Sequence, residues 1–325
     1  MRIVSLLTDA HFVHILVMKL HGALMKKGFF NSVEWPTVLL IGFVYVAWLV
    51  LALRGEHLNP LLWISLVALL TTLYWSIVHE VVHCHPTRNA FVNYTLVYLP
   101  LGWVYALGRF GDGHLQHHAT GDLTDPFDDP ESWYLAQRDW NSLSPLSKGL
   151  LTINNTLAGR MIIGPIITLW RMVAGDAMLI RKGGQAGRRV AIAWLIHVPA
   201  LLLLAGLLIH YSHVPAWQFV AAAYLGISVL LIRTFLEHQA SASQGARTVL
   251  IEDNGILAFL FLYNNLHIVH HTRPGLAWYR LPGFYKRHRA NFHRRNNGYV
   301  YASYWEIFRR YFLVAKEPVA HPTVI

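Results

Sequence analysis

The chain has 325 residues, of which 54% are hydrophobic and only 14% are charged, and its mean hydropathy is +0.36. This composition is more apolar and poorer in charge than that of a typical soluble domain, so it indicates a protein embedded in a membrane. The single cysteine, Cys84, excludes an internal disulfide and an iron–sulfur cluster held by cysteines. Any electrons that the protein uses must therefore come from another molecule.

The first segment, residues 1–30, mixes histidine and lysine with apolar residues, which predicts an amphipathic arm on the membrane surface rather than a cleaved signal peptide. Four apolar runs follow, each close to the about 20 residues that cross about 30 Å of hydrocarbon. They predict transmembrane helices, paired as two hairpins, at about 36–54, 60–78, 190–211 and 216–236. We expect one membrane domain over residues 1–325, with a loose tail at 317–325.

The distribution of basic residues predicts how these helices are oriented. Of 27 Lys and Arg residues, only Arg54 lies at the two short connections, 55–59 and 212–215. Because positive charge is concentrated on the cytoplasmic side of membrane proteins, both termini are predicted to be cytoplasmic. Another uncharged run, 91–107, is predicted to dip into the membrane or lie at its interface. If it crossed, the histidines described next would lie on opposite sides.

Nine histidines fall into four groups near the predicted cytoplasmic ends of the spans. They are His79 and His83 in HEVVH; His114, His117 and His118 in HLQHH; His238 after the fourth span; and His267, His270 and His271 in HIVHH. Spacings of three and four residues put imidazoles on one face of a helix. Nine ligands exceed the four of one tetrahedral zinc and match two metals, although imidazole alone does not select zinc, copper, iron or nickel.

The remaining histidines that we considered have no such grouping, so we interpret them as ordinary hydrogen-bonded residues. They are His57, His197, His210, His213, His288, His293 and His321. His85 follows His83 by two residues, which is roughly the opposite side of a helix, and is predicted to be a loop residue or to support a ligand from behind.

HEVVH, HLQHH and HIVHH, in this order and at these distances from two membrane hairpins, resemble the three histidine boxes of the integral-membrane fatty acid desaturase and hydroxylase superfamily. The resemblance runs from the first span to about residue 285, and HEVVHCHPT, LTDPFDDPESWY and NNLHIVHHTRPGLAWYRLP resemble a bacterial branch. It implies an all-α membrane protein with four transmembrane helices beneath a cytoplasmic cap, in the bacterial inner membrane.

The resemblance also implies a non-haem di-iron centre that uses O2 to remove hydrogen from an acyl chain or another membrane lipid. The three boxes then supply eight iron ligands, and His238 matches an additional histidine found in some members. Electrons would come from an external donor such as a ferredoxin, or cytochrome b5 with its reductase. Asn264 and Asn265 are the candidates to hold a metal-bound water.

A ligating imidazole needs its second N–H held by a carboxylate, a carbonyl or water. Glu80, Asp125 and Glu237 are our candidates for this role, within a wider set that also includes Asp122, Asp128, Asp129, Glu131 and Glu252. For DLTDPFDDPES a plain Pro/Asp turn with a helix cap is an equally good interpretation.

Other functions remain open at this point. The same superfamily contains hydroxylases, and desaturases of small amino-acid-like molecules of the dihydrorhizobitoxine type. HEVVH also fits the H-E-x-x-H pattern of zinc proteases, which leaves both H-x-x-H-H clusters unexplained. The basic stretch 286–295 is suited either to an acidic electron carrier or to anionic lipid headgroups. Nucleic acid is excluded because the basic residues follow membrane topology and no recognition motif surrounds them.

Overall fold

The computed structural model describes residues 33–324, so the arm predicted for residues 1–30 lies outside the described residues. The helices up to the second hairpin are α1 (Trp35–Arg54), α2 (Pro60–Val82), α3 (Ala90–Leu96), α4 (Leu107–Ala119), α5 (Gln137–Ser142), α6 (Pro145–Asn154), α7 (Leu157–Ile162) and α8 (Gly164–Lys182). Those that follow are α9 (Gly184–Tyr211), α10 (Ala216–Thr234), α11 (Ile256–Leu260), α12 (His267–Thr272), α13 (Leu281–Arg295) and α14 (Tyr304–Tyr311). Two short strands, β1 (Leu250–Ile251) and β2 (Val300–Tyr301), pair in parallel.

Helices α1, α2, α9 and α10 are long and apolar enough to cross a membrane, which confirms the predicted helical membrane fold. The chain enters α2 through Asn59, whose side chain accepts a hydrogen bond from the Leu61 amide at 2.9 Å, and Pro60 occupies the first helical position. α2 ends at Val82 and not near residue 78, where the apolar run ends. His79 therefore lies within the helix.

The central helices α2 and α10 pack against each other through a glycine. A Cβ added at Gly226 would lie 2.8 Å from Thr71 Cγ2 and 3.1 Å from the Ala68 carbonyl oxygen, so no larger side chain fits without a shift. Thr72 Oγ1 donates hydrogen bonds to the Ala68 and Gly226 carbonyls at 2.9 and 3.0 Å. This contact fixes the two helices that lead into His79 and His238.

The outer helices present apolar side chains to the surroundings. Leu39 on α1 and Leu202 on α9 are 69% and 66% exposed, which is favourable only where lipid replaces water. The two short connections lie side by side, since Ser212 Oγ donates a hydrogen bond to the Ala52 carbonyl. Both hairpins therefore turn at the same end of the molecule, opposite the histidines.

The run 91–107 does not cross to that end. It forms α3 and a series of turns, which are held by hydrogen bonds from Tyr74 Oη to the Val97 carbonyl at 3.0 Å and from Tyr45 Oη to the Leu99 carbonyl at 2.8 Å. The chain then enters α4 on the side where α2 ends. Our prediction for this run therefore agrees with its path in the structure.

The C-terminal tail differs from the expectation of a loose segment. The Leu135 amide donates a hydrogen bond to the Val319 carbonyl at 3.0 Å, and the His321 amide donates one to the Leu135 carbonyl at 2.8 Å. His321 is buried, and its side chain lies 3.3 Å from Thr124 Oγ1. Residues 317–324 are thus held by backbone pairing, which composition alone does not reveal.

Candidate metal centre

Three helices and one extended segment carry the nine histidines to a common place. His79 lies in the last turn of α2 and His83 caps that helix, α4 carries the second box, and α12 carries the third. The backbone around His238 pairs with residues 247–249, since the Gln239 amide donates to the Arg247 carbonyl at 3.0 Å. The Ile268 amide donates to the Val249 carbonyl at 3.2 Å, so the same segment sets His238 beside α12.

The structure divides the nine histidines into two groups, within each of which the ligand nitrogens lie within 4.8 Å of one another. The larger group is His79, His83, His114, His118 and His270, and the smaller is His117, His238, His267 and His271. Each H-x-x-H-H cluster contributes to both groups. The first and last histidines of a cluster point together, and the middle one is turned toward the other group. A chain with two such clusters can therefore serve two adjacent sites.

The ring nitrogens within each group are spaced like ligands of one ion. Nε2 atoms of His83 and His114 are 3.0 Å apart, those of His118 and His270 are 3.1 Å apart, and those of His238 and His267 are 3.1 Å apart. Two nitrogens bound at about 2.1 Å and at a right angle are about 3.0 Å apart, whereas a tetrahedral angle separates them by about 3.4 Å. The spacing is therefore compatible with imidazoles that ligate one ion in each group.

Each group contains a ring nitrogen that has no hydrogen-bond partner among the described residues. Nε2 of His79 and Nε2 of His117 are buried and accept or donate no hydrogen bond. Buried polar atoms are rarely left unsatisfied, so each indicates a missing neighbour. A metal ion in each group would satisfy both, and the donor set fits the pair of metals expected from the sequence.

The protonation of the rings also fits ligation. Burial, reinforced by the neighbouring histidines, lowers the pKa of His83 to about 2 and that of His118 to about 3. The same causes lower the pKa of His270 and His271 well below the usual value. These imidazoles are neutral near pH 7 and keep the lone pair that a metal needs.

Two carboxylates hold the second box from behind. His117 Nδ1 donates to Asp129 at 2.7 Å, and His114 Nδ1 donates to Glu131 at 2.9 Å. Burial alone lowers the pKa of His117, but Glu131 and Asp129 outweigh it and raise the pKa to about 9. Burial alone raises the pKa of Glu131, but His114 and His117 hold it well below its usual range. The surroundings of this box thus favour positive charge.

A polar chain orients the third box. His267 Nδ1 donates to Asn264 Oδ1 at 3.1 Å, and Asn264 Nδ2 donates to Glu237 at 3.3 Å. Glu237 pairs with Arg233 at 2.9 Å, and both side chains are buried. Asn264 is therefore engaged with a ligand ring. Asn265 Nδ2 donates to the Ile251 carbonyl at 2.6 Å, and Asn265 Oδ1 is buried without a hydrogen-bond partner. Of the two asparagines, Asn265 is therefore the one whose side-chain oxygen is not already engaged.

Glu80 and Asp125, which were also predicted to support the site, have different surroundings. Glu80 accepts a hydrogen bond from the Trp278 amide at 3.0 Å and lies 3.8 Å from His79 Nδ1, on the side of the ring that faces away from the group. Asp125 contacts none of the nine histidines. It accepts from the amides of Phe127 and Asp128 at 2.8 and 3.0 Å, so it shapes the turn, and our prediction for it was wrong.

The histidines interpreted as ordinary residues lie outside both groups, and so does His85, which was predicted to be a loop residue or to support a ligand. His85 contacts Glu34 at 2.8 Å, His197 lies 2.9 Å from the Trp103 carbonyl, and His293 lies 3.2 Å from Glu252. Their partners lie in distant segments of the chain, and no ring nitrogen of the three belongs to the clustered set.

The fold and the clustered histidines define a helical membrane protein that gathers a histidine-rich, metal-compatible site at one end of its spans. The profile of the fatty acid desaturase family matches residues 56–303. The chain therefore belongs to the fatty acid desaturase family, as the histidine boxes indicated, and this membership implies an oxidoreductase that acts on an acyl substrate. No curated protein matches the chain.

Proposed function

We propose that this protein is an O2-dependent di-iron desaturase that introduces a carbon–carbon double bond into an acyl chain. The observation that carries the proposal is the division of nine histidines from the three boxes and His238 into groups of five and four. Desaturation converts –CH2–CH2– to –CH=CH– while O2, two electrons and two protons become two molecules of water. An external donor, such as a ferredoxin or cytochrome b5 with its reductase, must supply the electrons, since the described chain holds no cysteine cluster.

The histidines have defined roles in this proposal. The larger group would hold one iron and the smaller group the other. The bound pair would supply dioxygen activation and the removal of hydrogen from an unactivated carbon. Asp129 and Glu131 would fix the tautomers of His117 and His114 by accepting their Nδ1 protons, so that Nε2 faces the metal. Asn264 would do the same for His267.

The location of the site suits a membrane substrate. The histidines lie at the ends of α2 and α10, opposite the two short connections, and the charge distribution favours the cytoplasmic side of a bacterial inner membrane for that end. An acyl chain would reach the centre from the bilayer. Trp75, which lines a cavity beside the centre, is placed to contact it.

The zinc protease alternative is poorly supported by the position of Glu80. In the H-E-x-x-H mechanism the glutamate acts on a water at the metal. Here Glu80 lies behind the His79 ring and accepts the Trp278 amide instead. The superfamily alternatives, hydroxylation or desaturation of a small amino-acid-like molecule, use the same histidine ligands and differ only in substrate and outcome.

Metal content per chain is the first test. The full-length protein is purified in mild detergent from iron-replete cells, and bound metals are measured by elemental mass spectrometry. Close to two irons per chain is expected, followed by a new double bond in the lipid profile of cells that express the protein. A single zinc, with no iron even after anaerobic reconstitution, would contradict the proposal. A new alcohol in place of the double bond would assign hydroxylation instead.

A further inference from the structure

A cavity of about 330 Å³ lies beside the candidate metal centre. Its wall includes His238 of the smaller histidine group and Glu131, which holds His114. Much of the remaining wall is apolar and comes from α2, α4 and α10: Trp75, Phe110, Ile227, Leu230 and Leu231. A molecule in this cavity would contact the surroundings of the metal centre directly.

The same wall carries four cationic side chains, and three of them are already neutralised. The pairs are Arg109 with Asp176 at 2.6 Å, Arg233 with Glu237 at 2.9 Å and Lys316 with Glu317 at 2.5 Å. The carboxylates of the wall are equally engaged, because Asp129 and Glu131 hold histidines and Glu237 holds Arg233. None of these groups needs a charged ligand.

Arg171 on α8 is the exception. Within residues 33–324, no carboxylate oxygen lies within 4.0 Å of its guanidinium, which donates one hydrogen bond to the Ser132 carbonyl at 2.8 Å. Arg171 lies 5.0 Å from the centre of the Trp133 ring, and the buried Arg160 lies 3.7 Å from the same ring. Arg160 also has no carboxylate within 4.0 Å in the described part of the chain.

Two guanidinium groups therefore share one indole ring without an anion beside either. Burial, and to a smaller extent the charge of Arg171, lower the pKa of Arg160 to about 9, and Glu317 opposes both effects. Buried charges are normally paired, and Arg160 is buried, whereas Arg171 is exposed and lines the cavity. A guanidinium presents a planar fork of N–H donors that matches a carboxylate. The unpaired fork on the cavity wall thus has the chemistry of a carboxylate-binding group.

We propose that Arg171 binds the carboxylate of the substrate, which is a compact, unesterified carboxylic acid whose apolar chain lies along Trp75, Phe110 and Leu231. The cavity lies at the lower end of the range of about 300–1,000 Å³ found for small-molecule sites, which favours a short chain over a lipid with a bulky head group. This inference rests on the proposed function and specifies its substrate class.

Direct binding tests the inference without turnover. The full-length protein in lipid nanodiscs is titrated with radiolabelled n-decanoate, with empty nanodiscs as the blank, and 1-decanol and methyl decanoate serve as competitors. Saturable binding of decanoate is expected, with weak competition by the uncharged analogues. R171Q should weaken binding about ten- to a hundredfold, because a hydrogen bond to a charged group is lost. The affinity of R171K for decanoate should lie between those of R171Q and the unchanged protein, since lysine keeps the charge but lacks the planar fork of donors.

The matched control is R181Q on the same helix, which removes an exposed guanidinium that does not line the cavity. Its decanoate binding should equal that of the unchanged protein. Three outcomes would each overturn the inference. R171Q could bind decanoate as tightly as the unchanged protein does, 1-decanol could compete as well as decanoate itself, or the unchanged protein could show no saturable decanoate binding. If R171Q does not fold, the comparison of acid and alcohol on the unchanged protein still decides.

Metal content, measured on the same samples, separates this inference from the proposed function. If the protein holds two irons per chain but R171Q binds decanoate as well as the unchanged protein does, only the substrate assignment is refuted. Decanoate bound through Arg171 by a protein that takes up no iron would refute the desaturase proposal alone.

Discussion

Nε2 of His118 and Nε2 of His270 lie 3.1 Å apart although 152 residues separate them in the chain. The contact joins the second histidine box to the third, and His83 from the first box lies beside both rings, with centroids 4.6 Å from each. The larger group is thus assembled from three distant segments. Loss of one member should affect a site to which all three contribute.

We expect His270→Ala to abolish desaturation and to lower bound iron, because it removes one of five clustered nitrogens and leaves His118 without its partner. The loss of activity should be at least about a hundredfold, the upper end of what removal of a mere supporting residue costs. Elemental mass spectrometry and lipid profiling measure the two effects. His288→Ala, an exposed histidine on α13, is the control and should leave both unchanged. Full iron content in His270→Ala would refute the shared site.

His238→Ala tests the least obvious member of the set. His238 is one of only four histidines in the smaller group, so its loss should release part or all of one equivalent of iron. The control is His213→Ala, since His213 lies exposed in the short connection at the opposite end of the spans. Iron content equal to that of the unchanged protein would remove His238 from the ligand set.

The candidate histidine ligands could be predicted from the sequence because helical spacing determines which imidazole rings share a face of the helix. The carboxylates behind them could not. Asp129 and Glu131 follow their histidine partners by 12 and 17 residues, and nothing in DLTDPFDDPES distinguishes them from Asp125. Which carboxylate points toward the histidines depends on how the loop folds. The Asp125 carboxylate instead accepts a hydrogen bond within the turn. The tail after Glu317 was misjudged for the same reason, because backbone pairing with Leu135 leaves no mark in composition.

Asp129→Asn should weaken iron binding or activity about 10- to 100-fold, the usual cost of losing a residue that supports a ligand. The substitution removes the charge that His117 Nδ1 contacts at 2.7 Å while keeping the shape of the side chain. Iron affinity is measured by competition with a chelator. Asp125→Asn is the matched control from the same loop. It should lower iron affinity less than Asp129→Asn does, even if it lowers the stability of the loop. Equal effects of the two substitutions would contradict a specific role for Asp129.

Gly226→Ala should destabilise the protein by about 1–3 kcal/mol, because the new methyl group has no room between α10 and α2. Its Cβ would lie 2.8 Å from Thr71 Cγ2, and the two helices would have to separate. The midpoint of thermal unfolding in detergent measures the effect, and iron content should fall with it, since α2 and α10 lead into His79 and His238. Gly42→Ala is the control, because a Cβ at Gly42 would meet nothing within 4 Å. Equal midpoints for the two variants would show that the α2–α10 contact tolerates the added methyl group.

Tyr105 lines both the cavity beside the metal centre and a second cavity of about 370 Å³, which is mostly apolar and lies between α3, α4 and α9. Its ring packs edge-on against Trp75, with centroids 5.2 Å apart. Tyr105 is the residue that the two cavity linings have in common. Tyr105→Ala should join them and shift the products toward longer chains, as measured by the chain-length distribution of unsaturated acids in cells that express the variant. Tyr98→Ala, which enlarges only the second cavity, is the control. An unchanged distribution in Tyr105→Ala, at normal iron content, would mean that substrate length is limited elsewhere in the cavity wall.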